Sequence, residues 1–242
     1  SDIRTGLPGG SDESAGGDAA VALVMGDGDD AIALDIGGAD ATAEFVDRWR
    51  VPGESASKQW EERFGEYAYL PLVEQSVTDA LKSAGLTITE IDHLIVTGLH
   101  TRAVAAARRV IGARPDAIVD DLAGTVGNSG AAHAALLLCD VLDRAAPGDT
   151  IAVVTLADGC NTWLLRVTDR IGARRPAHTV REMIAATNDG LAYASYLTWR
   201  GLLRREPPRR PEPDRPASPP SMRSNAWKYG LFGSRDEAGF VH

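Results

Sequence analysis

Two apolar runs, Thr150 to Leu156 and Thr162 to Val167, flank the short stretch Asp158-Gly159-Cys160-Asn161. Both runs are apolar on both sides, so each is expected to be covered on both faces. A hairpin buried in this way needs a layer on either side, which points to a layered α/β arrangement. The residues upstream suit it. Pro147-Gly148-Asp149 reads as a turn, and Gly127-Asn128-Ser129-Gly130-Ala131-Ala132-His133 opens a helix that runs to about Ala145. Asn128 is suited as its N-cap, because its side chain can bond a backbone N–H of the first turn. The small residues that follow let the helix start approach another backbone or a ligand closely. Ala135, Leu136, Leu138 and Val141 supply bulk for burial.

The earlier chain has the same alternating character. Ser1 to Asp18 is a Gly-rich loop. Ala19 to Met25 and Ala31 to Ile36 read as two strands of a hairpin about the turn Gly26 to Asp30. That acidic turn lacks the twelve-position calcium loop with its closing Glu, so it is read as a turn and not a metal site. Ala39 to Glu66 sets Phe45, Trp49, Trp60 and Phe64 among charged residues. It is either an excursion pinned down by its aromatics or the lining of a substrate entrance. Tyr67 to Ala84 carries Leu70, Val73, Val77 and Leu81 at helical spacing and stops at Gly85. His93 to Thr97 is a strand, Gly98 to Thr101 a turn and Arg102 to Ile111 a helix ended by Gly112. Ligands in α/β sheets gather at the carboxyl ends of such strands. Thr179 to Arg205 reads as one long helix, and the seven prolines between Pro207 and Pro220 make an extended linker.

Composition narrows the function. The 242 residues, 44% of them hydrophobic, suit one large domain or one and a half. A net charge of -9 argues against a nucleic-acid partner. With no run of 18 apolar residues, no membrane span is expected. Two cysteines, Cys139 and Cys160, form no disulfide framework and suit a reducing cytoplasm. Ser1 is preceded by no Met and followed by no signal sequence, and Phe240-Val241-His242 is still strand-like. Both ends are expected to continue into a longer protein.

Gly127-Asn128-Ser129-Gly130-Ala131-Ala132, the helix after it, Pro147-Gly148-Asp149 and the strand ending at Ala157-Asp158-Gly159 together resemble the C-terminal half of the thiolase superfamily. The resemblance is to hydroxymethylglutaryl-CoA synthases and ketoacyl-acyl-carrier-protein synthase III enzymes. Gly17-Asp18-Ala19-Ala20 resembles the segment closing that family's N-terminal half. Phe45 to Phe64, with Asp47-Arg48-Trp49-Arg50, is similar to the insertion of the hydroxymethylglutaryl-CoA synthase branch. The resemblance implies a layered α-β-α-β-α fold with an irregular C-terminal extension. Residues 1–172 would be a thiolase-like domain incomplete at its N-terminus, 173–206 a long helix, 207–223 a Pro-rich linker and 224–242 the start of a zinc-ribbon/OB-fold domain. Trp227 to Gly233 carries that last likeness. Arg235-Asp236-Glu237-Ala238-Gly239 lacks the paired Cys of a zinc ribbon, so no zinc is expected.

The family makes or breaks a carbon–carbon bond beside a thioester. A Cys thiolate takes up the acyl group, and a His and an Asn donate to the oxygen of the second thioester. The resemblance thus implies coenzyme A or acyl-carrier-protein thioesters as substrates, no bound cofactor, a homodimer and an OB-fold partner. Asn128 matches the catalytic Asn; without the resemblance it is a helix cap. The family's His falls in strict register at Thr97 or Gly98, with His100 a few residues later. His100 is therefore either the catalytic His or a solvent-facing turn residue. His133 reads as packed or capped, and His93 and His178 carry no motif. Cys139 reads as core, and Cys160 lies near the chemistry without an adjacent base. The family's nucleophile belongs upstream of these residues, so the chain alone is expected to be inactive. Three functions stay open: a hydroxymethylglutaryl-CoA synthase-type acyltransferase, a retro-aldol lyase on acyl-CoA side chains, and a non-catalytic acyl-CoA-binding or scaffold subunit.

Overall fold

A computed structural model describes the whole chain except residues 1, 4, 5, 55, 174, 175, 188, 189, 207, 208, 211–213, 215, 216, 224, 226–228, 231, 232 and 240–242. The chain divides into two units, residues 1–184 and 185–242. In chain order the elements are β1 (Asp2–Ile3), α1 (Ser11–Ala15), β2 (Asp18–Ala19), β3 (Ala33–Thr42), β4 (Arg48–Trp49), β5 (Lys58–Gln59), α2 (Glu62–Ala84), β6 (His93–Gly98), α3 (Thr101–Ile111), α4 (His133–Leu142), β7 (Thr150–Leu156), β8 (Gly159–Val167), α5 (Val180–Ala185), α6 (Tyr193–Trp199) and α7 (Ser218–Arg223).

The central sheet has the order β3-β8-β7-β6. β8 runs antiparallel to both β3 and β7, and β6 runs parallel to β7. Along β7 the side chains alternate between two cores. Ala152, Val154 and Leu156 meet Val73, Val77 and Ala80 of α2 and Val104 and Ala107 of α3. Ile151 and Val153 meet Leu137, Leu138 and Val141 of α4. This is the α/β layering that the apolar hairpin required. Each large side chain buried completely, such as Ile151 or Leu164, contributes on the order of 2 kcal/mol. Tertiary burial therefore outweighs intrinsic helix preference here. Among the described residues, no helix is long and apolar enough to cross a membrane.

Several elements differ from expectation. The hairpin turn is confined to Ala157 and Asp158, with Asp158 at φ 51°. Gly159, Cys160 and Asn161 already belong to β8, Gly159 pairing with Thr42 of β3 and the other two with Leu156 and Thr155 of β7. The hairpin expected between Ala19 and Ile36 does not form. β2 pairs with β1, Val24 and Met25 are exposed, and β3 finds its partner in β8. An apolar run shows that burial would be favourable but does not name the partner that supplies it. Helix α2 starts five residues before Tyr67 and carries Pro71 inside it. In place of one long helix from Thr179 to Arg205, the described residues form α5 and α6. Within the stretch read as linker, Ser218–Arg223 is helical. Of Trp227 to Gly233, residues 227, 228, 231 and 232 lie outside the described residues, as do seven of the linker residues.

Candidate active site

β6 lies at the edge of the sheet, and the carbonyls of alternate residues face its open side. Leu94 O accepts from the Val119 N–H at 3.0 Å. Val96 O accepts from the Arg108 guanidinium at 3.2 Å, and Gly98 O from Asn128 Nδ2 at 2.9 Å. Backbone pairing at Leu94 thus gives way to two polar side chains toward the strand's carboxyl end. With a rise of about 3.3 Å per residue, the last two acceptors lie roughly 6–7 Å apart.

Asn128 is held from several directions. Its Oδ1 accepts from the Gly130 N–H at 2.8 Å, closing a local side-chain turn. Its backbone N–H donates to Ala15 O at 2.8 Å, and its carbonyl accepts from the Gly17 N–H at 3.0 Å. That close stitching explains two glycines. A Cβ on Gly17 would come 1.9 Å from Val126 O, and one on Gly127, at φ 80°, would come 2.5 Å from Gly16 O. Asn128 is not the cap of α4. A 3-10 turn, Gly130–Ala132, intervenes, and α4 begins at His133 with Ala132 before it.

His100 caps α3. Its Nδ1 accepts from the Ala103 N–H at 3.1 Å, which assigns the neutral ring's proton to Nε2. The ring is half-buried, so the solvent-facing reading does not hold. It lies against Gly65 of α2, where an added Cβ would come 2.2 Å from Nε2. The two strict-register positions differ from it. Thr97 is buried. Gly98 has no room for any side chain, since a Cβ there would meet Leu156 O at 2.8 Å and Leu156 Cβ at 2.9 Å.

A cavity of about 270 Å³ opens at this strand end, lined by Thr97, Gly98, His100 and Asn128 and by Arg108 of α3. Asp47, Arg48, Gln59 and Trp60 also line it, so the aromatic excursion borders the cavity while its rings pin it. Phe45 meets Tyr69 edge-on at 5.0 Å and Phe64 at 6.2 Å, and Trp49 lies 6.0 Å from Trp60. Arg48 bridges to Asp12 of α1 at 2.7 Å. Burial first and the Asp47 charge second push the Tyr69 hydroxyl well above its ordinary range, and that hydroxyl donates to Asp47 Oδ2 at 3.3 Å.

Arg108 and Asp121 were not singled out from the sequence as site residues. They form an ion pair of 2.9 Å at the cavity. The available signal was spacing: Arg108 follows buried Val104 by one helical turn, on the inward face. Burial works to raise the Asp121 carboxyl, but the Ala123 N–H and Arg108 overcome it and hold the group below its usual range. His133 also touches the cavity but is buried and committed to packing, as expected. Its Nε2 donates to Asp121 O at 3.0 Å, and its Nδ1 lies 3.4 Å from the Ser129 N–H.

Neither cysteine lines the cavity. Cys160 is buried in the core facing α2, and burial pushes its thiol up to about 11 despite hydrogen bonding by Ser76 and Thr162. Cys139 sits on α4 with its thiol also raised, by burial and then by Asp143. Among the described residues, no three His, Cys, Asp or Glu side chains are grouped to hold a metal ion.

Residues 81–165 match the family of 3-oxoacyl-[acyl-carrier-protein] synthase III C-terminal domains. The match runs from the end of α2 into β8 and takes in His100, Arg108 and Asn128. A hydroxymethylglutaryl-CoA synthase of Caldivirga maquilingensis is 26% identical over 220 residues, covering 84% of this chain and 61% of the relative. One of Pyrobaculum neutrophilum is 28% identical over 209 residues, covering 84% and 59%. The chain therefore spans about three-fifths of the curated relatives it matches. Among solved structures, 3-oxoacyl-(acyl carrier protein) synthase III of Pseudomonas aeruginosa superposes with a TM-score of 0.47 at 17% identity, over 56% of this chain and 44% of that one. Xanthomonas campestris OleA gives 0.46 at 20%, over 54% and 39%.

Proposed function

We propose that this chain is part of a thiolase-like condensing acyltransferase of the hydroxymethylglutaryl-CoA synthase type, acting on coenzyme A thioesters. The observation that carries the reading is the convergence of Asn128 and His100 on one cavity at the carboxyl end of β6, inside the segment matched to a condensing-enzyme family. In this reading Asn128 Nδ2 and the His100 Nε2–H donate to the oxygen of the thioester that becomes the enolate. Preset donors aimed at a developing oxyanion need no reorganisation as the charge appears. The thiol that first takes up the acyl group is one that these 242 residues do not supply, since both cysteines are raised and lie off the cavity. A homodimer and an OB-fold partner belong to the same reading, and light scattering of the purified protein tests the first.

The test is condensation of acetyl-CoA with acetoacetyl-CoA by the full-length enzyme, with and without Asn128→Ala. Loss of one such donor is expected to lower kcat by about a hundredfold to a thousandfold. Full activity in the variant would remove Asn128 from the mechanism. One observation favours the alternative, a retro-aldol lyase. Gly98 is sealed against Leu156, so the strict-register site of the family's His accommodates no imidazole. A lyase would release a ketone or aldehyde from a β-hydroxyacyl-CoA, which the same preparation can be assayed for.

A further inference from the structure

The segment matched to the condensing-enzyme family ends at residue 165, yet α5 reaches back from beyond it toward the turn that carries Asn128. Val180 is buried in the core on the α4 side, and its N–H donates to Asp143 Oδ2 at 2.6 Å. Arg181 then forks. Its Nε and Nη2 donate to the two oxygens of Asp140 on α4 at 2.6 and 3.0 Å, and its Nη1 donates to Asp120 Oδ2 at 3.1 Å. The Asp140 side chain is almost wholly buried. The two-point pairing with it fixes the guanidinium, and with it the direction of the third arm.

Asp120 passes that hold inward. Its other oxygen, Oδ1, accepts from the Leu122 N–H at 3.2 Å. Leu122 is buried and stands at φ 55°, where the Cβ of an L-residue crowds its own backbone. Its carbonyl accepts from the N–H groups of Thr125, Val126 and Gly127 at 3.1, 2.9 and 3.1 Å. The left-handed turn at Leu122 therefore sets the path of the chain into Asn128. Such a conformation persists only where its surroundings over-determine it. At the cavity, Asp121 supplies part of that hold through Arg108 and the His133 ring. Asp120, which is not part of the cavity lining, supplies another part and is oriented by Arg181.

We propose that Arg181 is a positioning residue for the cavity: through Asp120 it holds the Leu122 turn, and the turn keeps Asn128 at the carboxyl end of β6. Its meaning for the chemistry rests on the reading of Asn128 as a thioester donor, to which it adds that the site needs α5.

The experiment compares Arg181→Lys, Asp120→Ala and the double variant with the unaltered chain. A lysine can keep the pairing with Asp140, and so keep α5 docked, but it has no fork to span Asp120 as well. The first readout is hydrogen–deuterium exchange by mass spectrometry, which needs no ligand. Exchange in residues 123–128 is expected to rise about two- to fivefold in each variant, the size that a half-exposed ion pair can transmit. Residues 150–156 of β7 should keep their rate. The second readout is calorimetric titration with acetoacetyl-CoA, whose affinity is expected to fall by about the same factor. Both substitutions break one chain of contacts, so the double variant should match Asp120→Ala and not add to it. If Arg181 merely fastened α5, exchange would change in α5 and stay unaltered in residues 123–128. That result, or additive losses in the double variant, overturns the proposal. If the unaltered chain binds no acetoacetyl-CoA, the thioester reading fails, and the exchange pattern alone decides the role of Arg181.

Discussion

At the scale of single residues, the site depends on where small side chains leave room. Gly65 is the clearest case. It lies inside α2, where replacing Gly by Ala normally stabilises by up to about 1 kcal/mol. Here the new Cβ would lie 2.2 Å from His100 Nε2, far inside any van der Waals contact. The ring must then leave its place, which also breaks the cap it makes to Ala103, worth about 1 kcal/mol. Gly65→Ala is therefore expected to destabilise, and to stabilise or be neutral once His100→Ala has removed the ring. A double-mutant cycle by denaturant unfolding measures this. If Gly65→Ala costs the same in both backgrounds, the ring and the glycine are not coupled as described. Asn128 shows how a residue's importance can be legible while its bonding is not. Its type and neighbours mark a turn into a helix. Its partners at Gly98 and Ala15 are distant in sequence and come from the fold.

At the scale of elements, helix α2 starts five residues before Tyr67, where its apolar helical spacing begins to be legible, and it carries Pro71 inside it. A proline at the tenth helical position removes the N–H that would bond the Tyr67 carbonyl and crowds that turn. Read from sequence, the aromatic residues set among charges make the stretch before Tyr67 an excursion. The fold extends the helix because Phe64 packs among Phe45 and Trp60 and Gly65 seats the His100 ring. Because Pro71 is exposed, Pro71→Ala should restore a hydrogen bond without disturbing packing. A gain of about 1–2 kcal/mol is expected after the looser unfolded chain is allowed for. A rise in the thermal midpoint would show it; a fall would mean the proline holds a bend that the core requires. Elements whose partners are near in sequence, such as β7 with β8, were legible as a hairpin, though its turn is tighter than the sequence suggests. β3 was not, because its pairing strand lies more than a hundred residues downstream, and neither was the fate of Ala19 to Met25.

At the scale of the whole molecule, the question is what an acyl group could be attached to. A condensing reaction of the proposed kind needs a thiolate that is populated near neutral pH and reachable from the cavity. Cys160 meets neither condition. Its thiol is raised to about 11, which leaves about one molecule in ten thousand ionised at pH 7. It also sits in the core formed with α2, away from the cavity lining. The cause is desolvation, and the hydroxyls of Ser76 and Thr162 only partly offset it. Cys139 is raised by burial and by the neighbouring Asp143 charge. In the proposed reading, Asn128 and His100 would supply the donor half of the site, and neither Cys139 nor Cys160 is placed to supply the covalent half. Incubating the 242-residue chain with acetyl-CoA at pH 7 should leave its intact mass unchanged. On the proposed reading the chain should nonetheless retain a measurable affinity for acetoacetyl-CoA, because Asn128 and His100 both line the cavity. An acetyl group found on Cys160 or Cys139 by peptide mapping would overturn this division of labour, since it would mean that the fold lowers a thiol which its burial should raise.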